Sequence, residues 1–456
     1  MRESRRRFHL SAAKSAMLTL GLGFALLIII GTGFLMLPQA TVAYGSAPLV
    51  TALFTSASAT CVTGLVVVDS AIYWTGFGQM VIVALMFMGG LGIMTSGAVL
   101  LIAIGRRVTL NDRLVLRESF GSSNIGGVTQ IIKNVLVFAV LSQLIGYAVL
   151  LWRLYGDLQG DTPWQALFLS VSAFNNAGFN ILPNSESLIN YSSDVWIISA
   201  VGLLIILGST SLPVFIDLWK NRRISRFSLD TKLVLLGFFG AWALGLFSML
   251  AFEWGNSGTL GSMSGIDKIS NAAFQSITSR TAGFSTIGFE ATKPATDSIF
   301  MLLMLIGGAS GSTAGGIKIN TVMVLAIAGY ASVRGRPRAE AFKREIPYAQ
   351  IARALAVVFL AVIVLFGIVL GLAYTEDGNI QAGNFSFLDL LFEAISAFGT
   401  SGLSRGITSE LSQPGQILLA FAMYLGRLGP LTIAAGLALK ERRAVYRFAS
   451  ERVRIG

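Results

Sequence analysis

Four segments of the chain share a pattern of residues that suits the coordination of a cation. Each begins with Phe, continues through residues rich in Ser, Ala and Thr, and reaches one glycine: FTSASATCVTGL, FLSVSAFNNAGF, FQSITSRTAGF and FEAISAFGTSGL. Backbone carbonyls beside such a glycine can replace the hydration shell of a monovalent cation. Glycine also adopts positive φ readily, and its missing Cβ lets neighbouring strands approach closely. The pattern therefore predicts an ion-coordinating filter made of four short segments.

The four glycines recur at a nearly constant interval, which indicates an internal repeat. They are Gly64, Gly178, Gly283 and Gly402, separated by 114, 105 and 119 residues. The third copy is one residue shorter between its Phe and its Gly, so its local register stays open. The predicted filter comprises the glycines and the residues that precede them: Thr60, Cys61, Val62, Thr63 and Gly64; Asn175, Asn176, Ala177 and Gly178; Arg280, Thr281, Ala282 and Gly283; Gly399, Thr400, Ser401 and Gly402.

The elements that must position these segments are membrane-spanning helices. With 54% hydrophobic residues, 12% charged residues and a mean hydropathy of +0.71, the chain lies outside the usual composition of soluble domains. Apolar runs of about 20 residues, long enough to cross a bilayer as helices, recur along it. The first run, 16–37, is too long for a cleaved signal, so we expect it to be retained. Cys61 and His9 are each the only residue of their type, which excludes disulfide frameworks and Cys/His metal clusters.

The placement of charge predicts the topology. Most of the 34 Lys and Arg residues fall in five short stretches: 1–15, 105–133, 220–232, 334–353 and 440–454. By the positive-inside rule these stretches, and with them both termini, are cytoplasmic. We therefore interpret the net charge of +11 as a topology signal rather than as a nucleic-acid site.

Each interval between basic stretches has room for one outgoing helix, one short polar segment that cannot span, and one returning helix. The predicted outgoing helices are 16–37, 131–155, 232–253 and 351–374, and the returning helices are 77–104, 195–219, 298–328 and 415–440. This arrangement predicts an all-α polytopic membrane protein with four pseudo-fourfold M1–pore helix–M2 repeats, or eight full crossings and four half-helices, around a central ion pore. The units are an N-terminal tail (1–15), repeat 1 (16–104), a linker (105–130), repeat 2 (131–219), a linker (220–231), repeat 3 (232–328), a linker (329–350), repeat 4 (351–440) and a C-terminal tail (441–456).

Half-helices of this kind favour a cation for two reasons. Non-helical backbone at membrane depth must be buried in protein or must line water, because lipid cannot satisfy its polar groups. The C-terminal end of a helix also carries partial negative charge, so four ends aimed at one point attract a cation there.

The strings VTGL at Val62, SAFNNAGF at Ser172, TSRTAGF at Thr278 and SAFGTSGL at Ser396 resemble the Trk/Ktr/HKT cation transporters. The likeness covers nearly the whole chain and is greatest to the KtrB-type bacterial potassium uptake subunits. It implies that K+ is the transported ion, coordinated by backbone carbonyls centred on the four glycines. Some sodium-preferring relatives carry serine at the first of these positions, where this chain has Gly64.

The same resemblance implies the setting in which the chain works. Proteins of this kind are multi-pass components of the bacterial cytoplasmic membrane and form homodimers. A cytosolic nucleotide-binding ring of the RCK type (KtrA-like) regulates them, and Na+ can act as an activator. The basic segments that begin at Lys220 and Arg334 are candidate docking sites for such a ring, although ordinary topology signals explain the same charges.

The predicted third returning helix is interrupted by GGASGSTAGGIK, residues 307–318. Because glycines weaken a helix by about 1 kcal/mol each, we expect a flexible intramembrane loop beneath the filter, and the resemblance implies that this loop is a gate. Close helix packing through small residues is the alternative. A phosphate-binding loop is excluded because Ile317 separates Gly316 from Lys318. The predicted gate residues are Gly307, Gly308, Gly311, Ser312, Thr313, Gly315, Gly316, Lys318 and Arg427.

Several polar residues near these segments have a structural interpretation, and some of them also have a functional one. Arg427, inside the last apolar run, is either a partner of the gate or a structural anchor. We expect Arg280 to point away from the ion path and to anchor its half-helix through Glu393 or Glu290. The amides of Asn175 and Asn176 either bond the filter or line the vestibule.

Three other classes of function fit the sequence less well than a potassium pore. An enzyme is excluded because no paired carboxylates, histidines or nucleophile–base set stands out. A secondary carrier more often shows two long inverted repeats with broken helices than four short ones. A sodium-conducting or weakly selective cation transporter is the nearest alternative.

Overall fold

A computed structural model describes residues 21–43, 45–103, 128–155, 161–183 and 187–438, with side chains outside 92–103, 128–132 and 429–438. The predicted tails 1–15 and 441–456, and most of the linker 105–130, lie outside these residues. The described chain is mostly helical, and its one two-stranded hairpin pairs β1 (Glu340–Ala341) antiparallel with β2 (Arg344–Glu345).

The helices fall into four consecutive groups, which we call units 1 to 4. Unit 1 contains α1 (Gly21–Leu35), α2 (Leu49–Cys61) and α3 (Gly76–Ala103). Unit 2 contains α4 (Val128–Leu154), α5 (Thr162–Asn175), α6 (Val195–Ser209) and α7 (Leu212–Asn221). Unit 3 contains α8 (Leu229–Glu253), α9 (Gly265–Thr278), α10 (Pro294–Leu305) and α11 (Ile319–Val333). Unit 4 contains α12 (Tyr348–Thr375), α13 (Asp377–Gln381), α14 (Phe387–Gly399) and α15 (Gln413–Ala438).

Length and composition make several of these helices suitable for crossing a membrane. Among the described residues, three continuous helices are long and apolar enough: Lys133–Leu154, Leu229–Glu253 and Tyr348–Thr375. The bent pair of α6 and α7 would make a fourth span. Their outer faces carry exposed large apolar side chains such as Phe247 and Phe359, each 66% exposed. Exposing such apolar faces to water costs free energy, so these faces suit contact with lipid.

Polar residues fix the starts of the shorter helices. Ser386 caps α14 in a capping box, since its hydroxyl accepts from the Asp389 amide while the Asp389 carboxylate accepts from the Ser386 amide. Ser264 accepts from the amide of Asp267 at the start of α9, and Asp194 accepts from two amides at the start of α6. These contacts satisfy backbone donors that a helix cannot satisfy itself.

The packing of the four short helices α2, α5, α9 and α14 follows one rule. Each short helix packs against at least one long helix of its own unit. It also packs against the returning helix of the preceding unit. Thus α5 contacts α3, α9 contacts α6, α14 contacts α10, and α2 contacts α15 of unit 4. The contact between α2 and α15 joins unit 1 to unit 4, so each unit is in contact with the unit before it.

The second returning helix differs from the prediction. A single helix was expected over 195–219, but the chain breaks at Thr210–Ser211 and α7 turns by 95° from α6. Pro213 explains the break, because proline has no amide proton and cannot donate to the Ser209 carbonyl four residues earlier. The prediction of one continuous helix here was wrong.

Candidate functional site: a ring of glycine segments

The chain adopts the same backbone conformation just before each repeated glycine. In every unit the residue two positions before the repeated glycine adopts left-handed φ, although none of these residues is glycine: Val62 (φ 57°), Asn176 (φ 60°), Thr281 (φ 65°) and Thr400 (φ 51°). The glycines themselves also have positive φ, between 71° and 96°. We call residues 62–64, 176–178, 281–283 and 400–402 the glycine segments.

The third unit reaches this conformation with one residue fewer. In units 1, 2 and 4 the amide before the glycine bonds the carbonyl five residues earlier, as Thr63 does to Ser58 at 2.8 Å. In unit 3 the Ala282 amide instead bonds the Thr278 carbonyl, four residues earlier, at 3.1 Å. The tighter turn absorbs the missing residue, so the register of the glycine is the same in all four units.

The four glycines contact one another in cyclic order. A Cβ built on Gly64 would lie 2.6 Å from the Ala177 carbonyl oxygen, and one built on Gly178 would lie 2.9 Å from that of Ala282. A Cβ on Gly283 would lie 2.9 Å from the Ser401 carbonyl oxygen, and one on Gly402 would meet the Thr63 carbonyl. Each glycine therefore faces the carbonyl that precedes the next glycine, and no side chain fits between them. All residues predicted for the filter are buried in this region.

Arg280 points away from the ring, and neither expected carboxylate is its partner. Its guanidinium lies over the ring of Phe238 on α8, 4.6 Å from the centroid. Among the described residues its Nε and one terminal nitrogen have no hydrogen-bond partner. Glu393 instead accepts from Ser404, Thr408 and the Arg405 amide. The predicted pairing with Glu393 or Glu290 was therefore wrong, and cation–π stacking takes its place.

The two asparagines of unit 2 support the helix ends around the ring. The Asn175 amide donates to the Val171 carbonyl at 2.8 Å, and its side chain packs against Gly90 of α3. Asn176, with its amide nitrogen turned towards the carbonyls, donates to Ala173 and Ile205 at 3.3 Å each. These contacts join the half-helix of unit 2 to α6 and α3.

Residues 306–318 form a loop directly beside the glycine segments. The loop closes on itself through the Gly307 amide, which donates to the Ile317 carbonyl at 2.8 Å. A Cβ on Gly316 would lie 3.2 Å from the Gly399 carbonyl oxygen, and one on Gly315 would meet the Thr400 side chain. The predicted interruption of the third returning helix is therefore present, and it lies against the end of α14.

This loop packs against the break between α6 and α7. The Ala309 amide donates to the Ser209 carbonyl at 3.0 Å, and the Thr313 amide donates to the Gly208 carbonyl at 3.1 Å. The Thr313 hydroxyl also donates to Gly208, at 2.8 Å. Because the break frees these two carbonyls, the loop satisfies groups that would otherwise be buried without partners. Sequence reasoning missed this contact, although Pro213 was its signal.

Arg427 joins the loop to two other units. From α15, its guanidinium donates to the Thr313 carbonyl of the loop and to the Gly89 carbonyl of α3, with the Gly90 carbonyl 3.4 Å away. Among the described residues the side chain makes no ion pair, so it anchors backbone. Lys318, at the end of the loop, donates to the Ala314 carbonyl. A planar guanidinium with several donors suits such a bridge between two segments.

An ionic cluster lies just beyond the glycine segment of unit 4. Arg405 pairs with Asp389 of α14 at 2.5 Å and with the buried Asp297 of α10. It also donates to the Phe289 carbonyl at 3.0 Å. The cluster ties the chain that follows Gly402 to unit 3. The spacing of Arg405, Asp389 and Asp297 along the sequence does not indicate that these side chains meet.

Comparisons with known proteins agree with this architecture. The TrkH family model, described as a cation transport protein, matches residues 11–443. The Ktr system potassium uptake protein B of Bacillus subtilis is 39% identical over 93% of both chains. The potassium/sodium uptake protein NtpJ of Enterococcus hirae is 34% identical over 95% of this chain and 96% of its own. The crystal structure of the potassium transporter TrkH from Vibrio parahaemolyticus superposes with a TM-score of 0.71, at 18% identity, over 92% of this chain and 84% of that one.

These matches confirm the resemblance drawn from the four glycine motifs. The family model covers nearly the whole chain, and the relatives match it along almost their full lengths. The solved structure shares the fold. The chain belongs to the TrkH family of cation transport proteins.

Proposed function

We propose that this chain is the ion-conducting subunit of a potassium uptake system and that K+ passes through the ring of glycine segments. The observation that carries the proposal is the cyclic contact in which each glycine faces the carbonyl before the next. Relatives named for potassium uptake support the choice of ion. In this proposal the four units are the four repeats, each contributing two crossings and one half-helix to a single pathway.

The chemistry of the ring suits a monovalent ion. The glycine segments contain no carboxylate, so the ligands available to the ion are backbone carbonyls, threonine and serine hydroxyls and the side-chain amide oxygen of Asn176. Carbonyls bind K+ weakly enough for it to leave again, which conduction requires. The ends of α2, α5, α9 and α14 would add the partial negative charge of four helix C-termini.

The loop 307–318 would close the pathway on the cytoplasmic side of the ring. Its contacts with α6, with the end of α14 and with Arg427 support this position. Opening would require these hydrogen bonds to exchange for water. Residues Gly307, Gly308, Gly311, Ser312, Thr313, Gly315, Gly316 and Lys318 would then form the moving part, and Arg427 its latch.

The assembly proposed for the chain follows its Ktr-type relatives. It would form a homodimer in the bacterial cytoplasmic membrane, with both termini inside, regulated by a cytosolic ring of the RCK type and activated by Na+. The segments 222–226 and 332–338 are exposed and basic, and they would dock the ring. Reversing the charge of Arg334 and Arg336 should weaken co-purification of the ring, whereas reversing the exposed Lys293 at the opposite face should not.

The test is uptake by cells that lack their own potassium transporters. The parent chain should restore growth at low K+, whereas Gly64→Ser and Gly402→Ser should lose the preference for K+ over Na+. Gly383→Ser is the matched control, because Gly383 also has positive φ (77°) but a Cβ added there would have no neighbouring atom within 4 Å.

Equal preference in the two ring variants and the control would remove these glycines from the ion pathway. A parent chain that restores sodium uptake but not potassium uptake would favour the sodium-conducting alternative.

A further inference from the structure

One buried carboxylate binds the residues that directly follow the glycine segment of unit 4. Glu393 of α14 is fully buried. Its Oε1 accepts from the Ser404 hydroxyl at 2.5 Å and from the Arg405 amide at 3.1 Å. Its Oε2 accepts from the Thr408 hydroxyl at 2.9 Å. Ser404 and Arg405 stand two and three residues after Gly402, so Glu393 fixes the outer end of this segment.

Unit 3 builds the same contact with an amide. Gln275 of α9 is also fully buried. In the orientation of its side chain that satisfies both ends, its oxygen accepts from the Ser285 hydroxyl at 2.8 Å and from the Thr286 amide at 2.9 Å. Ser285 and Thr286 stand two and three residues after Gly283. Gln275 therefore repeats the geometry of Glu393 without a charge.

The two residues occupy the same place in their units. Each directly follows the phenylalanine that begins the repeated motif, Phe274 or Phe392. The corresponding residues are Thr55 in unit 1 and Leu169 in unit 2, neither of which carries a carbonyl or carboxylate oxygen on its side chain. Leu169 packs in an apolar cluster instead. At this position of the motif, a side chain that can accept through a carbonyl or carboxylate oxygen is therefore found in the two adjacent units 3 and 4.

We propose that Glu393 and Gln275 are positioning residues for ion selectivity, each setting where its glycine segment holds its carbonyls. The inference rests on the proposed function of the ring. A carbonyl site of fixed size favours the larger of two monovalent ions, whereas a segment that is free to shift can close around the smaller ion as well. Removing the buried acceptor takes away the acceptor of the next amide, Arg405 or Thr286, and one of the contacts of the serine hydroxyl, which loosens the segment.

The arrangement in unit 3 predicts that charge is not needed at position 393. Since the amide of Gln275 makes the same two contacts, Glu393→Gln should keep them and keep the preference for K+. Glu393→Ala and Gln275→Ala should each lower the preference for K+ over Na+ by roughly three- to tenfold, the effect of one lost net hydrogen bond.

Glu253 provides the matched control. It is likewise a fully buried carboxylate with hydroxyl and amide donors, including the Lys293 amide at 2.9 Å and the Thr259 hydroxyl at 2.8 Å. These partners lie in the chain after α8 and at the start of α10, and neither is among the three residues that follow a repeated glycine. Glu253→Ala should therefore lower thermal stability but leave the preference for K+ unchanged.

The experiment measures K+ and Na+ uptake by the full-length variants in proteoliposomes, together with their thermal unfolding midpoints. The proposal is supported if Glu393→Ala and Gln275→Ala lose preference while Glu393→Gln and Glu253→Ala keep it. It is overturned if both alanine variants keep the preference, or if Glu253→Ala loses it equally. If Glu393→Ala fails to fold, the result for Gln275→Ala decides whether the proposal holds, because that substitution removes no charged group. A parent chain without any preference for K+ would instead overturn the proposed function.

Discussion

Replacing Arg427 by alanine should open the pathway without its regulator. The guanidinium donates to the Thr313 carbonyl of the loop and to the Gly89 carbonyl of α3, while the 3.4 Å approach to Gly90 is too long to count. Of the two hydrogen bonds of Arg427, only the one to Thr313 has to break when the loop moves, because Gly89 belongs to α3 and not to the loop. A hydrogen bond from a charged donor contributes about 1.5–3 kcal/mol. Its loss should therefore raise the open population roughly 10- to 150-fold.

The assay is the initial rate of Rb+ uptake by proteoliposomes that contain the chain alone. Arg427→Lys should give an intermediate rate, since an ammonium group can keep one carbonyl contact but lacks the planar fork. Arg153→Ala is a suitable control because Arg153 pairs with Asp194 at 2.7 Å on the outer surface, away from the loop. A rate for Arg427→Ala at or below that of the parent, from equal amounts of folded protein, would refute the latch.

Three further outcomes follow from the contacts around the loop. Thr313→Val removes the 2.8 Å hydroxyl bond to Gly208, worth about 1 kcal/mol, so the basal rate of Rb+ uptake should rise roughly fivefold; an unchanged rate would contradict this. Pro213→Ala supplies an amide for the Ser209 carbonyl and should reduce the 95° bend, which distances between spin labels on α6 and α7 would report; unaltered distances would count against the proline. Arg405→Gln leaves Asp297 and Asp389 without a cation and should destabilise the protein by about 3–5 kcal/mol, measured as a lower unfolding midpoint in detergent; an equal midpoint would show that the pair is dispensable.

The sequence predicts the helices and the glycines because both depend on local signals. Apolar runs and basic stretches locate helices such as Leu229–Glu253 and Tyr348–Thr375 to within a few residues of the predicted ranges. The glycine motif likewise predicts a turn in each unit, and the structure has positive φ there. The loop at 307–318 follows from its glycine content. These features need no knowledge of which residues meet in space.

Other features depend on contacts between distant residues and could not be predicted in this way. The pairing of Arg280 was wrong because stacking on Phe238 depends on how α8 packs, not on spacing along the chain. The bend at Thr210–Ser211 was missed because the mean hydropathy of the run hides one proline. The register of unit 3 stayed open because a tighter turn and a shift of the glycine look alike in one dimension.

In the proposed pathway, backbone carbonyls around the four glycines hold the transported ion. The most direct measurement is a crystal structure of the chain grown with Tl+ or Rb+, with the ion located by its anomalous scattering. We expect a peak on the axis of the ring, coordinated by the carbonyls of Thr63, Ala177, Ala282 and Ser401. A ring without a peak, with the ion held by carboxylates elsewhere in the membrane region, would contradict the account.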